Sequence, residues 1–588
     1  MDKIYVNGII HSLDHENNDY EAMAIKDGLI CELGSNEDIL KLKTDTTKIY
    51  DLHNQVVFPG FNDSHMHILE YAIQAERIDL SHVKSIDELI LVMKSALNEH
   101  SNNEISNATT NNIETSNIVT TNIETSNIET NNIDTNYRGT NNADSNSTDI
   151  QWLIGRCMNQ DHFKDKRMPT KDDLNKISTT IPIVILRVCH HIAVVNDKAL
   201  ELLSSNGVLP AVEGGEFLLG KDGKPNGILT ENALQLIYNT LSKPSVSKVK
   251  ELILKTTNEM AAHGITSAHS DDFASVEHFE DVITAYRELG EENLLKVRVN
   301  QQCLIKDSKE LLEFIHKGYA SKVFNPYYSL GALKILSDGS LGARTAYLRN
   351  PYHDEPSTRG VFVETKEQLL ERMKLADDNG MQIAVHAIGD GAIEAILDCF
   401  QELDAKNNYR NPLRHGIVHC QITDKELLER FNKQNILAYI QPIFLEYDLH
   451  MVEDRVGKEL ASTSYAFNTL MDSGVHTSGG SDCPVEHFNI MNNIYCGVAR
   501  KDLFGQPVEG FHTEEALTMR QALQAFTMEG AYASREEQVK GSLEKGKYAD
   551  FVVLDKDLLQ IENEEIRNVN VLMTVMGGKT TYRNENFN

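Results

Sequence analysis

The sequence predicts a (β/α)8 barrel, an α/β fold in which eight parallel strands alternate with helices around a closed core. Three observations carry that expectation. Eight short apolar runs recur along the 588-residue chain. Amphipathic stretches with apolar residues at helical spacing lie between several of them, for example "KEQLLERMKLADDNG" (366–380) and "DGAIEAILDCFQELDAK" (390–406). Five of the eight runs carry or end in a His, Lys or Asp, at the strand ends where barrels gather their chemistry. An open doubly wound sheet is the competing arrangement, but no GxGxxG follows an early strand.

The elements follow in chain order. "KIYVNGIIHSLD" and "MAIKDGLICELG" are strand-rich with Gly turns, as are "GSLEKGKYADFVVLD" and "VLMTVMGGKTTY" at the other end. The two ends are expected to form a small β-sandwich domain, 1–58 plus 535–588, bracketing a barrel over 59–534. The first barrel strand is read in "VVFPGF" (56–61), with a kink or bulge at its Pro-Gly break. The others are "GITSAHS" (264–270), "VRVNQQ" (297–302), "LGALKIL" (330–336), "MQIAVHA" (381–387), "RHGIVHC" (414–420), "ILAYIQP" (436–442) and "GVHTSGGSD" (474–482). An excursion over 70–245 separates the first two. Within it, 101–149 is dominated by Asn, Thr, Ser and Ile with a five-residue near-repeat ("NIETS", "NIVTT", "NIETS", "NIETN", "NIDTN"). Its low apolar content cannot offset the entropy of ordering, so it reads as a disordered insertion without a catalytic role.

Composition narrows the partners. A formal net charge of −31 argues against nucleic acid or an anionic membrane surface and leaves a small-molecule substrate. Eight scattered cysteines without a CxxC pair suit reduced thiols. No signal-peptide core and no membrane-length apolar run is present, so a soluble, cytoplasmic protein is expected.

The residues at the strand ends point to chemistry. In "PGFNDSHMHI", His65 and His67 stand one residue apart; on a strand they share a face and can meet one ion. Lys334 lies in the fourth strand, His386 ends the fifth, His419 the sixth and Asp482 the eighth. Singly, each has a plainer role: a hydrogen-bonded barrel histidine, a lysine in a buried ion pair, a helix-capping Asp. Together they have the makings of a divalent metal site, and neutral imidazole with carboxylate suits Zn²⁺ first, with Fe²⁺ or Mn²⁺ as alternatives.

The stretches "PGFNDSHMHI", "LKILSDGSLGARTA", "IAVHAIGD", "RHGIVHCQ", "SGGSDCPVE", "GKPNGILTENA" and "AFTMEGAYAS" followed by "KGSLEKGKYADFVVLD" resemble, in this order, the amidohydrolase superfamily. Within it the sequence is similar to the branch of YtcJ-like proteins and N-substituted formamide deformylases, over nearly the whole chain except 101–149. The resemblance implies that His65 and His67 bind one metal and that His386 and His419 hold a second metal or a substrate group. It implies that Asp482 is both ligand and proton shuttle, and that Lys334 is a carboxylated, metal-bridging lysine. His191 and Glu231 also match family positions and are candidate catalytic residues from the excursion, while Asp63 is expected to hydrogen-bond a ligand histidine. The implied activity is hydrolysis of a non-peptide C–N bond (amide, N-acyl or N-formyl) by metal-activated hydroxide, with one or two ions. A deaminase of the same superfamily and a catalytically silent binding or assembly relative are the alternatives, and a homodimer is compatible with the resemblance.

Overall fold

The computed structural model describes residues 1–110 and 152–588, apart from 165, 188–191, 206, 213, 242, 405–409, 586 and 588, with backbone alone at 99–110 and 404. The chain divides into two compact units, Met1–Ala72 with Pro244–Asn588, and Ile73–Lys243.

The larger unit holds the barrel. Its strands are β1 (Phe61–Met66), β2 (Ile265–Ser270), β3 (Arg298–Leu304), β4 (Tyr328–Leu336), β5 (Ile383–Ala387), β6 (Gly416–His419), β7 (Leu437–Ile440) and β8 (Thr477–Gly479). Each pairs in parallel with the next from β1 to β8, and the short strand Val323–Asn325 pairs antiparallel on β4. Parallel neighbours require a crossover, and the amphipathic stretches supply it. Lys366–Asp378 is a helix closed at its start by a Thr365–Gln368 capping box, and Asp390–Asp404 is the helix after β5.

The first and last strands are not joined by a ladder. Bonds beyond the strand ends close the seam instead. The Asp482 N–H donates to the His65 carbonyl at 2.8 Å and the His67 N–H to the Cys483 carbonyl at 2.7 Å. The Asp63 carboxylate accepts from the Ser481 N–H at 3.0 Å and the Ser481 hydroxyl at 2.6 Å. Gly480 allows this approach: a Cβ there would stand 2.6 Å from the His65 nitrogen.

"VVFPGF" proves to be two strands rather than one kinked strand. Val56–Pro59 lies between Ile9–His11 and Phe551–Leu554 in a six-stranded sheet, and only from Phe61 does the chain join the barrel. Gly60 marks the switch, where a Cβ would meet the Thr266 side chain at 2.2 Å. That six-stranded sheet combines strands from both chain ends, whereas a four-stranded one (Leu29–Gly34, Ala22–Lys26, Lys3–Val6, Lys48–Asp51) comes from the N-terminal end alone. Tyr5, Met23 and Ile25 of one pack with Val57, Phe551 and Val553 of the other in a shared apolar cluster.

The smaller unit is organised by a six-stranded mixed sheet: Gly215–Leu219, Pro225–Glu231, Ile192–Val195, Ile183–Arg187, Leu153–Met158 and Ile78–Asp79. Its central strand is buried on both faces. Ile183 and Ile185 pack in one apolar cluster and Val184 and Leu186 in another, the period of two that a strand imposes. The helix Ile86–Thr110 carries ten residues into the stretch expected to be disordered from residue 101. Leu89, Ile90 and Met93 anchor its first turns in the core, and no Pro or Gly interrupts it. Residues 111–149 lie outside the described residues. Among the described residues, no helix is long and apolar enough to cross a membrane.

Candidate metal centre

The centre is assembled from strand ends of the barrel, starting with the pair one residue apart. His65 is the last-but-one residue of β1 and is buried; His67 follows just past the strand. Their imidazoles lie 5.2 Å apart between ring centroids, and both Nε2 atoms meet the same carboxylate oxygen, Asp482 Oδ1, at 3.2 and 3.1 Å. His419, at the end of β6, has its ring 5.6 Å from that of His65. His65, His419 and Asp482 each offer a ligand atom within 4.8 Å of the other two. The Lys334 Nζ of β4 stands 3.0 Å from His65 Nε2.

What holds each imidazole decides which nitrogen faces inward. His65 Nδ1 lies 2.6 Å from Gln302 Oε1, His67 Nδ1 2.9 Å from the Asp271 carbonyl, and His419 Nδ1 2.8 Å from Gln441 Oε1. A carbonyl oxygen can only accept, so each Nδ1 carries the proton and donates it. The Nε2 atoms of His65 and His67 then project electron pairs towards an anionic oxygen. Such a convergence demands positive charge. A proton on His67 Nε2 supplies it, while a Lys334 Nζ–H meets the electron pair of His65 Nε2; a divalent cation fits the same donor set, since two or three imidazoles with a carboxylate and outward Nδ1 donors are a metal-ligating pattern.

The ionisation states follow from these neighbours. Burial and the adjacent Lys334 push the His65 imidazolium down to about 3, so His65 is neutral. Burial also disfavours charge on His67, but Asp482 outweighs it and raises His67 to about 9. Burial resists ionisation of Asp482 too, yet the imidazoles at its Oδ1, with His67 donating from a protonated Nε2, hold it well below the usual carboxylate range. Burial lowers Lys334, and burial with the neighbouring His386 keeps His419 neutral. Backbone strain coincides with the site: His419 and Asp482 have φ of 84° and 57°, in the left-handed region that few side chains adopt.

The remaining expected residues lie as follows. The His386 ring is 4.4 Å from that of His419, but its Nε2 faces the Gly339 carbonyl at 3.1 Å and Asp338 at 3.3 Å. Its Nδ1 is left as the electron-pair donor. Asp63 hydrogen-bonds His65 as expected, but at its backbone N–H (3.2 Å) rather than its imidazole, and its carboxylate also takes Ser481, which helps close the seam. Glu231 ends the strand Pro225–Glu231 in the smaller unit, with φ of 48°. His191 lies outside the described residues.

Sequence reasoning overlooks the residues that orient the imidazoles. Gln302 ends the run "VRVNQQ" and Gln441 all but ends "ILAYIQP", the third and seventh strands, to which no role was assigned. The strand-end rule that found the histidines reaches both. Asp271, directly after β2, was missed as well; burial raises it to about 6, and its Oδ1 is buried without a partner.

The profile of the Amidohydrolase family matches residues 48–582. The chain is 29% identical to YtcJ of Bacillus subtilis (strain 168), over 99% of both chains. It is 22% identical to the N-substituted formamide deformylase of Arthrobacter pascens, covering 99% of this chain and 98% of that one. A solved structure of a metal-dependent hydrolase from Pyrococcus furiosus superposes with a TM-score of 0.73 and 25% identity, over 95% of this chain and 100% of the other.

Proposed function

Because the chain belongs to the amidohydrolase family, we propose that it is a metal-dependent hydrolase cleaving a non-peptide C–N bond of a small amide, N-acyl or N-formyl compound. One observation carries the reading: two strand-end imidazoles, each with Nδ1 committed to a carbonyl oxygen, turn Nε2 onto one Asp482 oxygen. His65, His67, His419 and Asp482 would hold a divalent ion, Zn²⁺ being the best match to nitrogen and carboxylate donors. Bound there, the ion supplies Lewis acidity that makes water nucleophilic near neutral pH and polarises a carbonyl.

The chain's own residues do the rest. Asp482 accepts the proton of the attacking water and returns it to the leaving nitrogen, which lacks a stable anionic form. Gln302, Gln441 and the Asp271 carbonyl keep the imidazoles from rotating away. Lys334, its ammonium disfavoured by burial, has an amine able to add carbon dioxide: the Nζ–C bond forms, one proton leaves, and a carbamate with two ligating oxygens results. His386 is the candidate for a second ion or a substrate group. The sheets built from the chain ends are read as a β-sandwich bracing the barrel.

The test is metal analysis of the purified protein combined with a screen of N-formyl, N-acyl and cyclic amides for amine release. Stoichiometric metal and an amine product are expected. Protein without bound metal sinks the reading, and ammonia released from a ring carbon moves the assignment to deamination. Asp482→Asn is expected to lower kcat by about 10²–10⁴ with an unchanged far-UV spectrum.

A further inference from the structure

A second cluster of ligating side chains lies apart from this centre, sharing no residue with it. The helix Val246–Ala262, which leads into β2, presents Glu259 near its last turn, and His263 caps it. Their spacing of four puts both on one helix face. His487 reaches them from the segment after β8, and one ligand atom from each of the three lies within 4.8 Å of the others.

We propose that Glu259, His263 and His487 form a peripheral site for a divalent transition-metal ion. Around an ion with donors at about 2.0–2.2 Å in tetrahedral array, ligand atoms stand about 3.3–3.6 Å apart. His487 Nε2 and Glu259 Oε1 are already 3.7 Å apart. Both side chains are nearly half exposed (46% and 42%), so the rotamer adjustment that closes the third ligand meets little resistance. Two imidazoles and a carboxylate suit Zn²⁺, and Ni²⁺ or Cu²⁺ by the same donor chemistry.

The surroundings are those of a built site. The Tyr71 hydroxyl donates to Glu259 Oε1 at 2.8 Å and orients the carboxylate. Phe488 packs against both imidazoles, with ring centroids 5.4 Å from His263 and 4.4 Å from His487. Burial, helped by the adjacent His487, lowers His263 to about 4, so it is the neutral ligand at pH 7. Burial opposes charge on Glu259, but His487 and Tyr71 outweigh it and keep it ionised. An ion here ties the segment following Asp482 to the helix that feeds β2.

The test compares Zn²⁺ binding by the metal-stripped full chain and by a His263→Ala/His487→Ala variant, titrated against a chromophoric chelator. The intact chain is expected to bind one equivalent more; equal stoichiometry overturns the proposal. The difference is independent of how many ions the barrel centre takes, so failure here and failure of the hydrolase reading are distinct results. Should the double variant not fold, His487→Asn alters only a half-exposed side chain. It is expected to weaken that equivalent about tenfold or more, and an unchanged affinity is the contrary result.

Discussion

Each of the histidines at the strand ends, His65, His67 and His419, owes its direction to a neighbour bonded to its outer nitrogen. Gln302 Oε1, 2.6 Å from His65 Nδ1, is the shortest of these ties, and Gln302 is buried. Gln302→Leu removes the acceptor, freeing the ring and leaving its Nδ1–H unpaired. Metal affinity is expected to fall about 10–100-fold, read by chelator competition, with Gln302→Glu retaining most of it. An affinity unchanged in Gln302→Leu would mean that packing alone orients the ring. The left-handed backbone at His419 and Asp482 belongs to this scale too. Motif spacing can name such residues but not their φ, because strain persists only where the surrounding structure enforces it.

At the level of elements, short helices depend on their termini. Lys171–Asn175 is five residues long and begins with a Thr170–Asp173 capping box. Asp173 accepts the Thr170 N–H at 3.1 Å, Arg167 Nη1 at 2.7 Å and Lys176 Nζ at 3.2 Å. Burial pushes its carboxyl up, but these donors outweigh it and hold Asp173 at about 2, below the ordinary 3.8. A depressed carboxyl stabilises fully above the unfolded value and loses that contribution as pH falls through the folded one. The shift corresponds to about 2 kcal/mol, reduced by solvent screening at the half-exposed Arg167 and the exposed Lys176. Asp173→Asn is therefore expected to destabilise the Ile73–Lys243 unit by about 1–2 kcal/mol at pH 7. Urea unfolding of the wild-type and variant proteins should converge as pH falls below ~2; a difference that persisted there would assign the effect to packing.

In the whole molecule, the barrel and the chain ends are joined by a buried ion pair. Arg298 of β3 donates to both oxygens of Asp550 at 2.7 and 3.1 Å, and Asp550 also accepts the Gly577 N–H at 2.6 Å. Both side chains are about 95% buried. Arg298→Leu leaves a buried carboxylate without its partner and is expected to cost about 3–5 kcal/mol in chemical denaturation; a loss under about 1 kcal/mol would mean that Asp550 is protonated or hydrated instead. Such a tie between residues 252 positions apart has no local signature. The sequence by itself determined the alternation of strand and helix and the strand ends bearing His65, His67, His386, His419 and Asp482. Those follow from periodicity and residue type, which are local. Tertiary structure alone decided that "VVFPGF" serves two sheets, that Asp63 fastens the seam, and that His386 turns its Nε2 to Gly339. Only there did Glu259, His263 and His487 meet. Each of these depends on which distant segment arrives within hydrogen-bonding reach, and the hydrophobic pattern that folds the chain carries no information about that.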